Sequence, residues 1–307
     1  MSTFLRDNLN LGPGSLVFGN APGLVIYDST GINLDTDLAT KDLPSSLLGK
    51  AATLQTDRVA KVSATPVGEL SQALLDLFFP WRNLLLATGK PIHTPGVDVP
   101  LVIHAMSGKR VKLLNAVLVK PPEMILSTVE TSFGRLEFDA ITPGDKTSTD
   151  PLYALDDLAY DLGAHDTPLS GVAYTAKCGA LLINSTVNGF RVSVEPQLTA
   201  VQTDEAGTLT WFVSGVNVTA RCSPTQLSEL DILAALDINR GRGRPIGGAD
   251  PLVISGPGGL EVTLNRASLR KGPLKWGNTE LRAGELEFTA NAKPDGSLYD
   301  VKLLPAS

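Results

Sequence analysis

Pro100-Leu101-Val102-Ile103 returns, 151 residues later, as Pro251-Leu252-Val253-Ile254. At the same offset Gly108, Val111, Leu113, Ala116, Leu118 and Lys120 fall on Gly259, Val262, Leu264, Ala267, Leu269 and Lys271, so 10 of the 21 positions from 100 to 120 are identical. Pro122 then falls on Pro273, and after a one-residue gap Gly134-Arg135-Leu136-Glu137-Phe138 aligns with Gly284-Glu285-Leu286-Glu287-Phe288. Upstream, Glu69-Leu70-Ser71 aligns with Gln226-Leu227-Ser228, and more weakly Gly14 with Gly179 and Gly23 with Gly189. Matching blocks in one order, separated by loop-sized changes of offset, read as a tandem duplication of about 12–142 and 176–292. Each unit has an ordinary domain size and is far longer than a solenoid repeat.

Most of each unit reads as strand. Leu260, Val262 and Leu264 alternate with Glu261, Thr263 and Asn265, and Val111, Leu113, Ala116 and Leu118 follow nearly the same period. Phe190, Val192, Val194 and Leu209, Trp211, Val213 do likewise. Period-two alternation bounded by Gly, Pro and Asp is the signature of half-buried antiparallel strands. One helix is expected in each unit. In the first, Thr65 caps, Pro66 takes the first helical position, Glu69 lies in the first turn, and Leu70, Leu74, Leu77 and Phe78 form the apolar stripe that Pro80 stops. In the second, Ser223-Pro224 opens and Leu227, Leu230, Leu233 and Ala234 supply the stripe.

The reading therefore divides the chain into 1–142, an acidic linker 143–175, and 176–307. Within the linker, Asp150-Pro151 opens a short docking helix on Leu152, Leu155, Leu158 and Leu162. Spacings between matched blocks give the first unit two longer loops. One runs through Asp28–Arg58 and is rich in Asp, Thr, Ser, Gly and Pro; long loops of this kind carry function.

Composition excludes several classes. Of 307 residues, 43% are hydrophobic and 19% charged, which is not the composition of a disordered chain. The net charge of −6 argues against a general nucleic-acid binder. Six aspartates (145, 150, 156, 157, 161 and 166) and one lysine put most of that charge in the linker, leaving the two domains nearly neutral. Cys178 and Cys222 permit one disulfide at most, and two buried thiols are the preferred reading. No apolar run reaches the length of a membrane span, and the N-terminus lacks the pattern of a signal peptide.

Chemistry is hard to find. His93, His104 and His165 have no metal-ligand spacing, and there is no G-x-S-x-G or C-x-x-C. Gly49-Lys50 lacks the earlier glycine and the following hydroxyl of a phosphate loop. Glu137 and Glu287 recur in both units, which favours a structural role. Arg240, Arg242 and Arg244 alternate with glycine, more like a solvated loop than a phosphate site. The expectation is a protein that is not an enzyme, with no catalytic, metal or cofactor site.

The unit of alternating strand, Ser/Thr-Pro-led helix, Pro-Leu-Val-Ile, glycine turn, strand ending in Lys-x-Pro, then Gly-x-Leu-Glu-Phe resembles the tube domain of long-tailed phage tails and of contractile-tail tubes. Pro100–Pro122 with Gly134–Phe138, and Pro251–Pro273 with Gly284–Phe288, carry the likeness. The resemblance implies a mainly β fold of two tandem β-sandwich or barrel tube-like domains, each with one flanking α-helix. It implies rings of six domains, here a trimer of two-domain chains, stacked into a tube in the virion tail. Through that tube DNA passes without specific binding, past a lumen expected to be acidic or neutral. It also implies tape-measure, initiator or distal-tail, and terminator partners. The Asp28–Arg58 loop, with Asp28, Asp35, Asp37, Lys41, Asp42 and Lys50, would meet the next ring, and the repeat-two loop is expected to be shorter. Leu70, Leu74, Phe78, Leu227, Leu230 and Ala234 would line the flanking helices. Two alternatives stand beside this: another tail or baseplate ring component, and a β-sandwich carbohydrate-binding or adhesion module.

Overall fold

The computed structural model describes residues 14–19, 24–28, 30–45, 47, 49–67, 71–92, 99–105, 110–127, 131–141, 152–156, 173–203, 207–225, 232, 250–257, 259–274 and 284–304. In chain order the elements are β1 (Gly14–Phe18), β2 (Leu24–Asp28), β3 (Asn33–Ser45), β4 (Gly49–Ala64), β5 (Pro66–Val67), α1 (Gln72–Phe78), α2 (Leu84–Ala87), β6 (Leu101–Ala105), β7 (Arg110–Leu113), β8 (Ala116–Lys120), β9 (Met124–Leu126), β10 (Thr131–Phe133), β11 (Leu136–Ala140) and β12 (Tyr153–Asp156). There follow β13 (Thr175–Cys178), β14 (Leu181–Ile183), β15 (Thr186–Thr203), β16 (Gly207–Pro224), β17 (Leu252–Ser255), β18 (Leu260–Leu264), β19 (Ser268–Lys271), β20 (Leu286–Thr289) and β21 (Tyr299–Leu303). The protein is mainly β, and every strand pairing among the described residues is antiparallel.

Among the described residues four sheets have the orders β12-β7-β6-β1-β2-β5, β3-β4-β11-β8, β14-β13-β17-β18-β21 and β10-β9-β15-β16-β20-β19. Read from β12 and from β21, the first and third follow one order of strands along the chain; the hairpin sheets do the same from β3 and from β15. Registers agree as well. Leu101 faces Leu113, and Leu252 faces Leu264. Phe138 lies between Val62 and Leu118, and Phe288 between Ala220 and Leu269. Even irregular contacts repeat: Gly134 N–H donates to Glu123 O at 2.7 Å and Gly284 N–H to Pro273 O at 2.8 Å.

Alternation places the core. In β18 Leu260, Val262 and Leu264 are fully buried while Glu261 and Thr263 are not. Phe18 of β1, itself part-buried, stacks on the fully buried Phe138 of β11 with ring centroids 5.3 Å apart, so two sheets of the first half meet across these side chains. Hydrophobic burial of this kind contributes about 1.5–3 kcal/mol for each large side chain.

Several expectations are corrected. The helix does not begin at Thr65-Pro66, which enter β5; Ser71 is its cap, its Oγ accepting from Leu74 N–H at 3.2 Å. Proline suits the start of a strand as well as of a helix, which is why the signal misled. Ser223-Pro224 ends β16 rather than opening a helix. Beyond the single helix expected in the first unit, Asn83 caps the short α2. The docking helix expected on Leu152 and Leu155 is instead the strand β12, which pairs with β7; Leu158 and Leu162 lie outside the described residues. Asp28–Arg58 is chiefly a hairpin, not a loop, and its strands of 13 and 16 residues are shorter than the 18 and 18 of β15 and β16. The weak glycine matches also shift. Gly19 (φ 91°), not Gly14, ends β1 as Gly179 (φ 58°) ends β13. The partner of Gly189 by register is Gly31, not Gly23, which lies outside the described residues.

Candidate functional site: a filled seam and its open counterpart

Among the described residues the first half reaches across to the second along β9 and along the chain from α1 through α2 to Ile92. β9 adds to the outer edge of β15, with Met124 facing Val192, Ile125 facing Arg191 and Leu126 facing Phe190. Met124, Leu126, Phe190 and Val192 are all buried. Ser193 Oγ donates to Glu123 Oε1 at 3.0 Å beside them. Gly189 makes the approach feasible: it has φ +75°, and a Cβ there would run into Leu126 O and lie 2.8 Å from Ser127 Cα. Only glycine combines that dihedral with so close a backbone.

Farther along, α1 and the chain following it lie along β21 and the residues just before it. Leu298 N–H donates to Arg82 O at 2.8 Å, Leu84 N–H to Gly296 O at 2.8 Å, and Arg82 Nη1 to Asp300 Oδ1 at 3.2 Å. Gln72 brackets the strand, its Nε2 donating to Val301 O at 3.2 Å and its Oε1 accepting from Leu303 N–H at 3.0 Å. Tyr299 is thereby 2% exposed, and burial pushes its phenol well above the ordinary value. Beyond α2, Gly89 N–H and Ile92 N–H bond to Val213 O and Trp211 O of β16, each at 2.8 Å.

Among the described residues, no strand covers the matching places on the first half. By hairpin register Ile32, Asn33 and Leu34 correspond to Phe190, Arg191 and Val192. Among the described residues no strand pairs with the outer edge of β3. Gly31, at φ +104°, is left-handed like Gly189, yet a Cβ there would meet nothing within 4 Å. Tyr153 faces Leu113 as Tyr299 faces Leu264, and it is 39% exposed. A sheet edge with unpaired backbone groups is a template for another strand.

Of the six residues expected to meet a neighbouring ring, five lie along the hairpin. Asp35, Asp37, Lys41, Asp42 and Lys50 are exposed on β3 and β4. Lys50 Nζ pairs with Asp42 Oδ1 at 2.6 Å and Thr53 Oγ1 donates to Asp42 at 2.9 Å, which together lower the Asp42 pKa. Exposed Leu38, Leu43 and Leu54 share these strands, and Leu47 lies at the turn. Asp28 is different: it is buried, accepts from Thr65 N–H at 2.6 Å and from Gly31 N–H, and so shapes the turn into β3. Leu74 and Phe78 are buried on α1, whereas Leu70, Leu227, Leu230 and Ala234 lie outside the described residues, as do Arg240, Arg242 and Arg244.

A cleft of about 200 Å³ between the halves includes Lys61, Asp139, Gln202 and Trp211 in its lining. Burial raises the Asp139 pKa, Lys61 at 4.0 Å opposes that shift, and Glu137 adds to it. Both cysteines are free, and burial pushes the Cys222 thiol up to about 12. Among the described residues no cluster of three metal-ligating side chains occurs, and no helix is long and apolar enough to cross a membrane.

Sequence reading missed the Tyr153–Tyr299 and Gly31–Gly189 pairs. The dipeptides Leu152-Tyr153 and Leu298-Tyr299 were the available signal for the first. For the second, the glycines were visible but the intervening hairpins differ in length, so a short-block match could not set the offset. Comparison with protein-family models and with curated proteins gives no match.

Proposed function

We propose that the chain is a tandem duplication of a tube-forming β domain, and that it works as a structural virion protein of a phage tail. Its copies form rings, as trimers of two-domain chains, and the rings stack into a conduit for DNA. The mechanism is physical: backbone pairing at sheet edges and burial of apolar faces hold the rings, and no residue is assigned to catalysis. Supporting this reading are the shared strand order of the two halves and the sequence resemblance of the Pro100–Pro122 and Pro251–Pro273 blocks to tube domains. The observation that carries it is the coexistence of a filled seam on the second half with open equivalents on the first. Such an arrangement is heterologous, so it propagates from copy to copy until a ring closes.

Electron microscopy of the purified, concentrated full-length protein tests the reading. Long hollow tubes are expected. Isolated rings that never stack would transfer the chain to the ring components of a tail end or baseplate. A protein that remains monomeric up to its solubility limit overturns the proposal.

A further inference from the structure

The cleft between the halves holds a charge that the fold does not call for. Asp139 of β11 faces Lys61 of β4, and the equivalent pair in the second half is Thr289 facing Thr219. The second half forms the same ladder with threonines at both places, so a buried carboxylate at this register is not a requirement of the sheet. Asp139 is 7% exposed, and its Oδ1 has no hydrogen-bond partner among the described residues. Lys61 Nζ lies 4.0 Å away, too far to supply one. From the second half, Trp211 of β16 brings a buried Nε1 donor that also lacks a partner among the described residues. Both residues line the cleft, together with Arg58 of β4 and Gln202 of β15. Buried polar groups left in this state are costly, and two of opposite kind beside one cleft point to a ligand that meets both.

The lining narrows the ligand's chemistry. Arg58 and Lys61 set two cations against one carboxylate, which disfavours a metal ion or an ammonium group and favours an anion. The carboxylate in turn rejects an anion that has no proton to give, because like charges would meet in a buried place. The indole N–H needs an oxygen acceptor. A space of about 200 Å³ suits a small ligand. We propose that this cleft binds a small oxyanion that carries a proton, of the hydrogen phosphate class. Its O–H donates to the Asp139 carboxylate, and its remaining oxygens accept from Lys61 Nζ and Trp211 Nε1, with Arg58 balancing the further negative charge. The carboxylate turns readily about its terminal torsion, so either oxygen serves as the acceptor. The site draws on no contact between copies and stands apart from the self-assembly reading.

Calorimetric titration of the dilute full-length protein at about pH 8 tests this, with inorganic phosphate and inorganic sulfate as the probes. At that pH phosphate keeps one proton and sulfate has none. Saturable phosphate binding is expected, about tenfold or more tighter than sulfate, since only phosphate donates to the carboxylate. Asp139→Asn keeps the side chain's shape, removes the like charge and offers an N–H, so the two anions should then bind within about threefold of each other. Lys61→Gln, at a side chain that is half exposed and so tolerant of change, should weaken phosphate about tenfold. Circular dichroism checks that each variant is folded. Absence of saturable phosphate binding, sulfate bound as tightly as phosphate, a preference that survives in Asp139→Asn, or phosphate affinity unchanged in Lys61→Gln overturns the proposal.

Discussion

Gly189 and Gly31 are matched glycines in different surroundings, so replacing each by alanine separates backbone strain from contact across the seam. Both have positive φ, at +75° and +104°. An L-residue there carries a strain of about 1–2 kcal/mol, common to both variants. In Gly31→Ala nothing else changes, because the new Cβ meets no atom within 4 Å. In Gly189→Ala the Cβ runs into Leu126 O and approaches Ser127 Cα at 2.8 Å, both of them main chain of the first half. Main chain cannot rotate aside, so β9 must move off β15, opening the contact in which Met124 and Leu126 are 0% exposed. Overpacking that forces a backbone shift costs about 1–3 kcal/mol more. The expected losses are thus about 1–2 kcal/mol for Gly31→Ala and about 2–5 kcal/mol for Gly189→Ala. Urea unfolding of dilute protein measures both, with the difference read from the midpoints at unchanged m. Losses equal to within about 0.5 kcal/mol would refute the claim that Gly189 is held by the seam and Gly31 by nothing in the same chain.

Two further outcomes follow from buried groups. Burial raises the Asp139 pKa above its unfolded value, so the native state binds the extra proton and stability falls as pH rises from about 4 through the raised value. Asp139→Asn should flatten that dependence and stabilise the protein at pH 7; a variant less stable at pH 7, with the slope intact, would count against it. Burial also pushes the Cys222 thiol up to about 12 and raises that of Cys178, so thiol-labelling reagents at pH 8 should modify the folded chain far more slowly than the urea-unfolded chain. Equal labelling rates would contradict the burial of Cys222.

Local pattern made much of the fold legible. Alternation in Leu260–Leu264 located β18 within the chain, and the 151-residue offset aligned it with β7, because side chains at a half-buried strand must alternate wherever the strand lies. The distal hairpin was illegible for the converse reason. Asp35, Asp37, Lys41 and Asp42 lie on strand β3, whose outer part is exposed, so no apolar period marks it and only the ladder to β4 holds it. β12 was hidden similarly: Tyr153-Ala154-Leu155 is too short to distinguish a strand from a helical turn until β7 supplies a partner.

The amino-acid sequence by itself determined a mainly β chain with matching blocks, at most one disulfide and no recognisable catalytic motif. It also determined the residues that alternate along β7, β15, β16 and β18, because that choice depends on neighbours two positions away, whereas the helix start moved from Thr65-Pro66 to Ser71. Tertiary structure decided which matched places are occupied. Phe190 and Ile32, or Tyr299 and Tyr153, hold equivalent places in their halves, and what separates them is whether a distant stretch of the same chain reaches them. That reach depends on how far each connection extends and on where each sheet ends, which are properties of the folded whole.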